Sequence, residues 1–505
     1  MTSVSSNKRI AKNTAYLYIR MLVSLFVGLY TSRIVLKELG IVDYGLNNVV
    51  GSLLSLFTFI QGSLSTSASR FLAFEIGKKE KGDLNKVFCM TQNIHFIFAV
   101  IVLILAETIG LWYFYNKMVI PTDRFNACLV VYHLSILSAV FSILVVPYNA
   151  MIIAQEKMRA FAYLSIVNIT SKLLIALSLG FTPADKLITI AVLSFVLSFV
   201  IRILYLNYCS RYFEESKYRF IWDKSIIKEM LIFSGWSMCS YTRIAIDQAS
   251  NLMLNLFFGP VVNAARAVAN TVQQNIYAFV LNFQVSLNPQ IIKSYATKDN
   301  NRIDELVNLS QKISFSLLFI LMFPILVNLR FILNVWLVEV PEYTEPMLLL
   351  ICITSIFSAL SNPFGVIAEA SNKLKKWNLI LMPYYILSAI GAYIMIKLGA
   401  SVIMMFGLFL VFEFAAFFIK LKLAGGMAKL QHSTVLRLYA KMTFTVTLAL
   451  IGGYYIYINF DNNIIGLFQK SLIVSIFSII WIPLFILDSE ERSKIQLMII
   501  SRIRR

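Results

Sequence analysis

Residues 88–115 read FCMTQNIHFIFAVIVLILAETIGLWYFY and contain one charged side chain, Glu107. A helix of this length can cross a hydrocarbon layer about 30 Å thick. Comparable apolar runs recur along the whole chain of 505 residues, which is 58% hydrophobic and only 14% charged. Because lipid cannot satisfy free backbone groups, helices are the expected solution. The chain is therefore predicted to be an all-α integral membrane protein.

The apolar runs predict fourteen membrane-spanning helices. Their predicted boundaries are 14–36, 46–73, 88–115, 125–154, 161–181, 187–209, 229–258, 261–288, 309–336, 346–369, 377–397, 402–423, 438–459 and 466–487. An even number of spans places both termini on one side of the membrane. Most of the 45 lysines and arginines then lie in segments on that side, so both termini are predicted to be cytoplasmic. The first apolar run is too long for a signal peptide and no cleavage motif follows it, so we expect an uncleaved helix.

The net charge of +19 needs no nucleic-acid partner. It follows from the topology, with some attraction to anionic membrane lipids. The five cysteines show no C-x-x-C spacing and predict neither a disulfide framework nor a zinc site. The three histidines are scattered, and neither a phosphate-binding glycine loop nor a G-x-S-x-G motif occurs. We therefore expect no metal, no cofactor and no enzymatic activity.

A weak internal repeat runs through the sequence. Residues 39–42 (LGIV) match residues 258–261 (FGPV) at an offset of 219, both at a tight turn between paired spans. Pro147-Tyr148 matches Pro363-Phe364 at an offset of 216. The repeat predicts two pseudo-symmetric six-helix bundles, residues 1–210 and 211–423, with an appended helix pair and tail in residues 424–505. Parallel repeats of this kind place a central cavity between the halves.

Basic residues occur inside the predicted spans. Seven of them are interpreted as lying at membrane depth: Arg20, Arg33, Arg70, Lys172, Arg202, Arg243 and Arg266. A cation at bilayer depth costs about 2.5–3.5 kcal/mol, so such residues normally face a cavity or a partner charge. The excess of cations indicates an anionic ligand, and the predicted binding set is Arg20, Arg70, Lys172, Arg243 and Arg266. Arg33 and Arg70 lie near span ends, where side chains also reach the headgroups, and Arg243 has Asp247 one turn away as a partner.

The eighth span carries a polar stripe at helical spacing. Its members are Asn263, Arg266, Asn270, Gln274, Tyr277, Gln284 and Asn288, and the seventh span adds Ser237, Tyr241, Gln248, Asn251 and Asn255. Such side chains either hydrogen-bond helices to each other or line a cavity. The second span has a milder stripe of small polar residues. The set predicted to contact substrate is Asn263, Asn270, Gln274, Tyr277, Gln248 and Asn251.

Two acidic residues are placed as deeply as the cations, Asp247 and Glu413. Glu413 has no obvious local partner in the sequence. It is interpreted either as a proton or cation site for coupling, with Asp247 as a second candidate, or as an acid held neutral by burial.

Three segments carry a resemblance to a known family. They are residues 13–20 (NTAYLYIR), residues 39–45 (LGIVDYG) and residues 146–151 (VPYNAM) followed by residues 155–158 (QEKM). They resemble Wzx-type polysaccharide flippases, in the style of Bacteroidetes members, within the MATE-like multidrug/oligosaccharidyl-lipid/polysaccharide exporter (MOP) superfamily. The resemblance covers essentially the whole chain and contains no catalytic motif.

The resemblance implies a V-shaped pair of bundles that opens alternately to each side of the bacterial inner membrane. The implied cargo is an undecaprenyl-pyrophosphate-linked oligosaccharide for O-antigen or capsule synthesis, with other polysaccharide assembly proteins as potential partners. Relatives bind the pyrophosphate through arginines of the first and eighth helices, which Arg20 and Arg266 match. The alternatives are a MATE-type drug/cation antiporter, which should carry acids in its cavity, and a membrane polymerase of glycan assembly, which should have large outer loops.

Overall fold

The structure is a computed structural model that describes residues 3–55, 58–77, 83–155, 157–371, 373–461 and 463–486, and these residues form helices and short connections. The first ten helices are α1 (Ser3–Ser55), α2 (Thr58–Gly77), α3 (Leu84–Leu105), α4 (Leu111–Asn116), α5 (Phe125–Ala154), α6 (Met158–Ser178), α7 (Lys186–Tyr212), α8 (Lys224–Ser240), α9 (Thr242–Phe258) and α10 (Pro260–Ala296). The remaining helices are α11 (Asn300–Val327), α12 (Leu329–Trp336), α13 (Thr344–Ala370), α14 (Leu374–Lys397), α15 (Val402–Ala428), α16 (His432–Asn459) and α17 (Ile464–Trp481).

The all-helical membrane fold is confirmed for the part of the chain that the structure describes. Ten of its helical segments are long and apolar enough to cross a membrane: α3 with α4, α5, α6, α7, α11 and α13 to α17. Helices α1, α2 and α8 to α10 cover the other predicted spans. The count of fourteen therefore stays a prediction, and the predicted tail after residue 488 lies outside the described residues.

The helices form two compact units. The first unit comprises Met1–Thr271 and Met382–Ile396, and the second comprises Val272–Leu381 and Lys397–Arg505. In the first unit α5 is central and packs against α1, α2, α3, α6 and α7, while α8 packs on α2. In the second unit α13 packs extensively on α15, and α11 contacts α13, α16 and α17. The predicted bundle boundaries at residues 210 and 423 stay predictions.

The two glycines matched by the repeat adopt the same backbone conformation. Gly40 has φ 76° and ψ 169°, and Gly259 has φ 79° and ψ −179°. Glycine alone tolerates this region, because a Cβ atom would clash with the backbone. Gly40 divides α1 into two helical segments, and Gly259 separates α9 from α10. The pairing predicted from the sequence thus corresponds to the same turn in both places.

The matched prolines also lie in equivalent elements, Pro147 within α5 and Pro363 within α13. A proline inside a helix removes one N–H donor and leaves a carbonyl four residues earlier without its helical partner. The Ala359 carbonyl accepts a hydrogen bond from Gln284 Nε2 at 2.9 Å, and the adjacent Leu360 carbonyl accepts one from Gln311 Nε2 at 2.8 Å. Two buried glutamines therefore stabilise the interrupted helix.

The connection between α7 and α8 is fastened to the start of α3. Asn85 donates two hydrogen bonds of 2.8 Å to the carbonyls of Glu215 and Lys217, and the Lys86 ammonium lies 2.7 Å from Asp223. The Lys86 ammonium lowers the pKa of Asp223, so this ion pair is kept until the pH falls through that lowered value. The long polar connection is thereby ordered by polar contacts at its ends.

One close helix contact provides a stability test. A Cβ atom at Gly45 would lie 1.9 Å from the Pro260 carbonyl oxygen, which is backbone and cannot rotate away. Gly45→Ala is therefore expected to destabilise the first unit by about 1–3 kcal/mol, since the helices must shift. Gly51→Ala on the same helix is the control, because no atom lies within 4 Å of the added methyl group. The measurement is the apparent melting temperature in detergent, and equal melting of the two variants would contradict the observed contact.

Candidate functional site

Arg266 is buried and compensated by a carboxylate. Its side chain is 2% exposed, and Nη2 donates hydrogen bonds of 2.6 Å to both the backbone oxygen and the Oδ1 of Asp247. The turn at Gly259 returns the chain so that α10 can place Arg266 beside α9. The ion pair of Asp247 is thus formed with the next helix. Arg266 is therefore buried beside a carboxylate of the protein, and its predicted role in binding substrate stays a prediction.

Two members of the predicted substrate-binding stripe link helices instead. Asn263 is fully buried, and its Nδ2 donates to the backbone oxygen and the Oδ1 of Asn251 at 2.7 and 2.8 Å. Asn251 Nδ2 donates in turn to Asn48 Oδ1 at 2.7 Å and to Ser52. This chain of amides connects α10, α9 and α1. Of the two roles considered for the polar stripe, Asn263 and Asn251 have the first, because they hydrogen-bond helices to each other.

The remaining stripe residues divide into engaged and accessible ones. Tyr277 accepts a 2.9 Å hydrogen bond from Asn362 Nδ2 within the second unit, and the same amide donates to Gln284. Gln274 is exposed, and Asn270 and Gln248 are partly exposed. Among the residues predicted to contact substrate, these three are the amides with exposed surface.

Several intramembrane cations of the first unit are accessible. The Arg20 guanidinium lies 4.8 Å from the ring centre of Phe161, and that of Arg70 lies 4.3 Å from the ring centre of Phe233. Lys172 is exposed on α6, the helix that packs against α1. Phe161 and Lys172 are eleven residues apart, which places them on one face of α6 about 16 Å apart along its axis. Arg20, through its contact with Phe161, and Lys172 therefore lie along the same face of α6.

The cations Arg20, Arg70 and Lys172 differ from Arg266 in having no acidic partner among the described residues. No carboxylate of a described residue forms an ion pair with Arg20, Arg70 or Lys172. Contacts with aromatic faces compensate a guanidinium only partly, since a cation–π contact is worth about 0.5–2 kcal/mol. Arg243, at the start of α9, is partly buried and takes part in other interactions.

The predicted seventh span is interrupted at Tyr241, which the apolar pattern did not indicate. Helix α8 ends at Ser240 and α9 begins at Thr242. The Tyr241 hydroxyl lies 3.2 Å from the hydroxyl of Thr66, and a Cβ atom at Gly62 would lie 2.6 Å from the Tyr241 ring. Irregular backbone at membrane depth is tolerated where protein or a water-filled cavity surrounds it. The small residues of α2 provide that protein contact.

Glu413 has a partner that the sequence analysis missed. Lys420 Nζ lies 3.2 Å from Glu413 Oε1, with side-chain exposures of 10% and 3%. The interpretation of Glu413 as an acid without a local partner is wrong, because residues seven apart lie on one helix face two turns away. Lys420 falls near the predicted end of its span, where a position at the membrane interface is the default. Lys312 and Lys470 of the second unit are also buried and are absent from the predicted set for the same reason.

No group of three histidine, cysteine or acidic side chains within the described ranges is arranged to hold a metal ion. The five cysteines are free, and all but Cys239 are buried.

No protein-family model matches this sequence, and no curated protein matches it. Solved structures share the fold. The lipid II flippase MurJ in an inward closed conformation superposes with a TM-score of 0.66 at 13% identity, covering 93% of this chain and 98% of that one. The MATE multidrug transporter DinF-BH gives 0.64 at 15% identity, covering 84% and 97%. An inward-facing multidrug resistance MATE family transporter of the MOP superfamily gives 0.63 at 14% identity, covering 83% and 96%.

The chain therefore is a multi-pass membrane protein with the fold of these transporters. The neighbours include both drug transporters and a lipid flippase, so the fold is common to cargoes of different chemistry. Side chains, and not the fold, therefore distinguish proteins that carry different cargoes.

The ion pair of Arg266 is testable. Asp247→Asn removes the carboxylate beside a buried guanidinium and is expected to lower the stability by about 1–3 kcal/mol, a loss moderated by the exposure of Asp247. Adding Arg266→Met removes the buried charge while keeping much of its volume, and should recover most of that loss. The measurement is the apparent melting temperature of both variants. Wild-type melting of Asp247→Asn would refute a structural role for the pair.

Proposed function

We propose that the chain is a non-enzymatic flippase that moves an undecaprenyl-pyrophosphate-linked oligosaccharide across the bacterial inner membrane. Alternating access carries the cargo from the cytoplasmic to the periplasmic leaflet, where it serves surface polysaccharide synthesis. The observation that supports this proposal is the set of accessible cations in the membrane helices of the first unit, Arg20, Arg70 and Lys172, which no carboxylate of the described chain compensates.

A diphosphate suits these cations. Each is costly at bilayer depth unless a negative charge is present. Hydrogen bonds between cationic side chains and phosphate oxygens are roughly twice as strong as neutral ones, and they strengthen where water is scarce. Arginine binds phosphate with a planar pair of donors, whereas lysine acts as a point charge. Arg20 and Lys172, on the same side of α6, can therefore bind a headgroup at successive positions along its path.

The accessible amides suit the glycan. Gln248 and Asn270 of the first unit each offer donors and acceptors of the kind that sugar hydroxyls require. They carry no charge and impose no strict geometry on a particular sugar. The polyprenyl tail needs no protein pocket in this scheme, because it stays dissolved in the bilayer.

The alternative of a drug/cation antiporter agrees less well with these residues. Accessible guanidinium and ammonium groups repel a cationic cargo. The two acids expected to attract one, Asp247 and Glu413, are each ion-paired to a basic residue of the protein. A membrane polymerase is the alternative from another class of protein, and it differs from a flippase because it elongates the glycan.

Transport assays with the purified, reconstituted protein test the class. A fluorescent lipid-linked oligosaccharide should reach the opposite leaflet of proteoliposomes with its glycan length unchanged. Elongation of the glycan would support a polymerase instead. Export of cationic dyes without movement of the lipid would support the antiporter.

Charge-removing variants test the site. Arg20→Ala and Lys172→Ala should each reduce flipping of the same lipid by about tenfold or more, the loss expected for one charge-assisted hydrogen bond. Expression and melting temperature should be retained, because both side chains are accessible. Arg33→Ala is the control, since it removes an exposed arginine from the same helix as Arg20 near the span end.

Equal flipping by Arg20→Ala, Lys172→Ala and Arg33→Ala would remove these residues from the proposed site. Equal loss in all three would indicate a general effect of positive charge.

A further inference from the structure

Residues 217–222, which have the sequence KYRFIW, form the last part of the connection between α7 and α8 and are called the strap below. All of its side chains except that of Ile221 are exposed, and none belongs to the site proposed above. Basic and aromatic residues alternate over its first four positions. Exposed aromatic side chains grouped in a polar connection indicate a surface that contacts something apolar.

The strap runs along one face of α3. Asn85 Nδ2 donates a 2.8 Å hydrogen bond to the Lys217 carbonyl, and Asn93 Nδ2 donates one of 2.9 Å to the Ile221 carbonyl. The two asparagines are eight residues apart, so they lie on one face of the helix and about 12 Å apart along its axis. Irregular backbone at membrane depth is tolerated where protein groups satisfy it, and α3 supplies those groups here.

The two ends of the strap lie at different levels of the helix. The third span is predicted to begin at residue 88, which lies between the two asparagines. The backbone amide of Arg219 donates a 3.2 Å hydrogen bond to Cys89 Sγ, so the middle of the strap is level with this predicted boundary. With this boundary, Lys217 lies on the polar side and Ile221 on the apolar side.

Two aromatic rings protrude at the apolar end of the strap. Phe220 and Trp222 are 76% and 47% exposed, and their rings stack with centroids 6.5 Å apart. Tyr218 is also exposed, but its hydroxyl donates a 2.7 Å hydrogen bond to Asn93 Oδ1 and so holds the strap against α3. Aromatic side chains are enriched where headgroups meet acyl chains. The stacked pair therefore suits the upper acyl region of a bilayer.

Two cations lie toward the polar end of the strap. Lys217 and Arg219 are exposed, and no carboxylate of a described residue forms an ion pair with either side chain. The acid that follows the strap, Asp223, is paired with Lys86 at 2.7 Å. The acids at residues 214–215 precede the strap, at its end away from the rings. Cations at this level are placed to meet the phosphate groups of lipids whose acyl chains surround the rings.

We propose that the strap is a binding surface for anionic phospholipids. Phe220 and Trp222 enter the upper acyl region, and Lys217 and Arg219 bind the phosphate groups of the same leaflet. The hydrogen bonds with α3 order the strap in advance, so lipid binding requires little further ordering of the chain. The proposal does not depend on which cargo the protein carries.

Fluorescence quenching by lipids tests whether the membrane covers the strap. Full-length wild type and Trp222→Phe are reconstituted in bilayers whose acyl chains carry bromine at shallow or at deep positions. The difference between their emission signals belongs to Trp222. Shallow bromine atoms should quench this difference signal strongly, deep ones less, and aqueous iodide very little. Strong quenching by iodide without an effect of bromine would overturn the proposal, because the ring would then face water.

Charge-removing variants test the preference for anionic lipid. Quenching of the Trp222 difference signal by brominated phosphatidylglycerol is compared with quenching by brominated phosphatidylcholine in mixed bilayers. The preference of the wild type for phosphatidylglycerol should fall about fivefold in Lys217→Gln and in Arg219→Gln, the contribution of one basic residue near an anionic surface. It should fall further in the double variant and in wild type at high salt. Arg219→Lys should retain it.

Lys293→Gln is the matched control, since it removes an exposed lysine from α10. It should keep the wild-type preference, and the melting temperature of each variant verifies that it is folded. An unchanged preference in the double variant would overturn the assignment of the two cations. An equal loss in Lys293→Gln would also overturn it, because the preference would then follow the total charge of the protein.

Discussion

A charge inside the hydrocarbon layer needs a partner charge or contact with water, and this constraint governs the surroundings of the ionisable residues. Glu413 is compensated by Lys420 from its own helix, and Arg266 by Asp247 from the preceding one. The same requirement acts on uncharged groups. The Ala359 carbonyl, which Pro363 leaves without a helical partner, accepts a hydrogen bond from the buried Gln284, and the adjacent Leu360 carbonyl accepts one from the buried Gln311.

The accessible cations of the first unit differ from these compensated charges. Arg20, Arg70 and Lys172 have aromatic or open surroundings, with no carboxylate in the described chain to pair with them. Charges that pair within the protein stabilise its structure, whereas accessible charges without an acidic partner are available to bind a ligand. This separation supports an anionic cargo more strongly than the number of arginines does.

The shared fold constrains function less than these side chains do. Lipid II flippase MurJ and MATE multidrug transporters superpose on this chain to a similar extent, although one is a lipid flippase and the others are drug transporters. The backbone comparison therefore does not distinguish a lipid cargo from a drug cargo for this chain.

The sequence by itself determined the all-helical membrane fold, because runs of apolar residues have no other stable arrangement in lipid. It also revealed the repeat, since Gly40 and Gly259 lie at turns that only glycine tolerates. It could not decide which polar residues of α10 hold helices together and which remain accessible. Asn263 and Gln274 look alike in the pattern, yet one is fully buried against Asn251 and the other is exposed.

Only the tertiary structure decided how the intramembrane charges pair. Helical periodicity indicates which residues share a face, as Glu413 and Lys420 do, but the partner of Arg266 depends on how α9 and α10 pack. Pairing is a property of three-dimensional neighbourhood, where electrostatic energy falls with distance in space and not with separation along the chain.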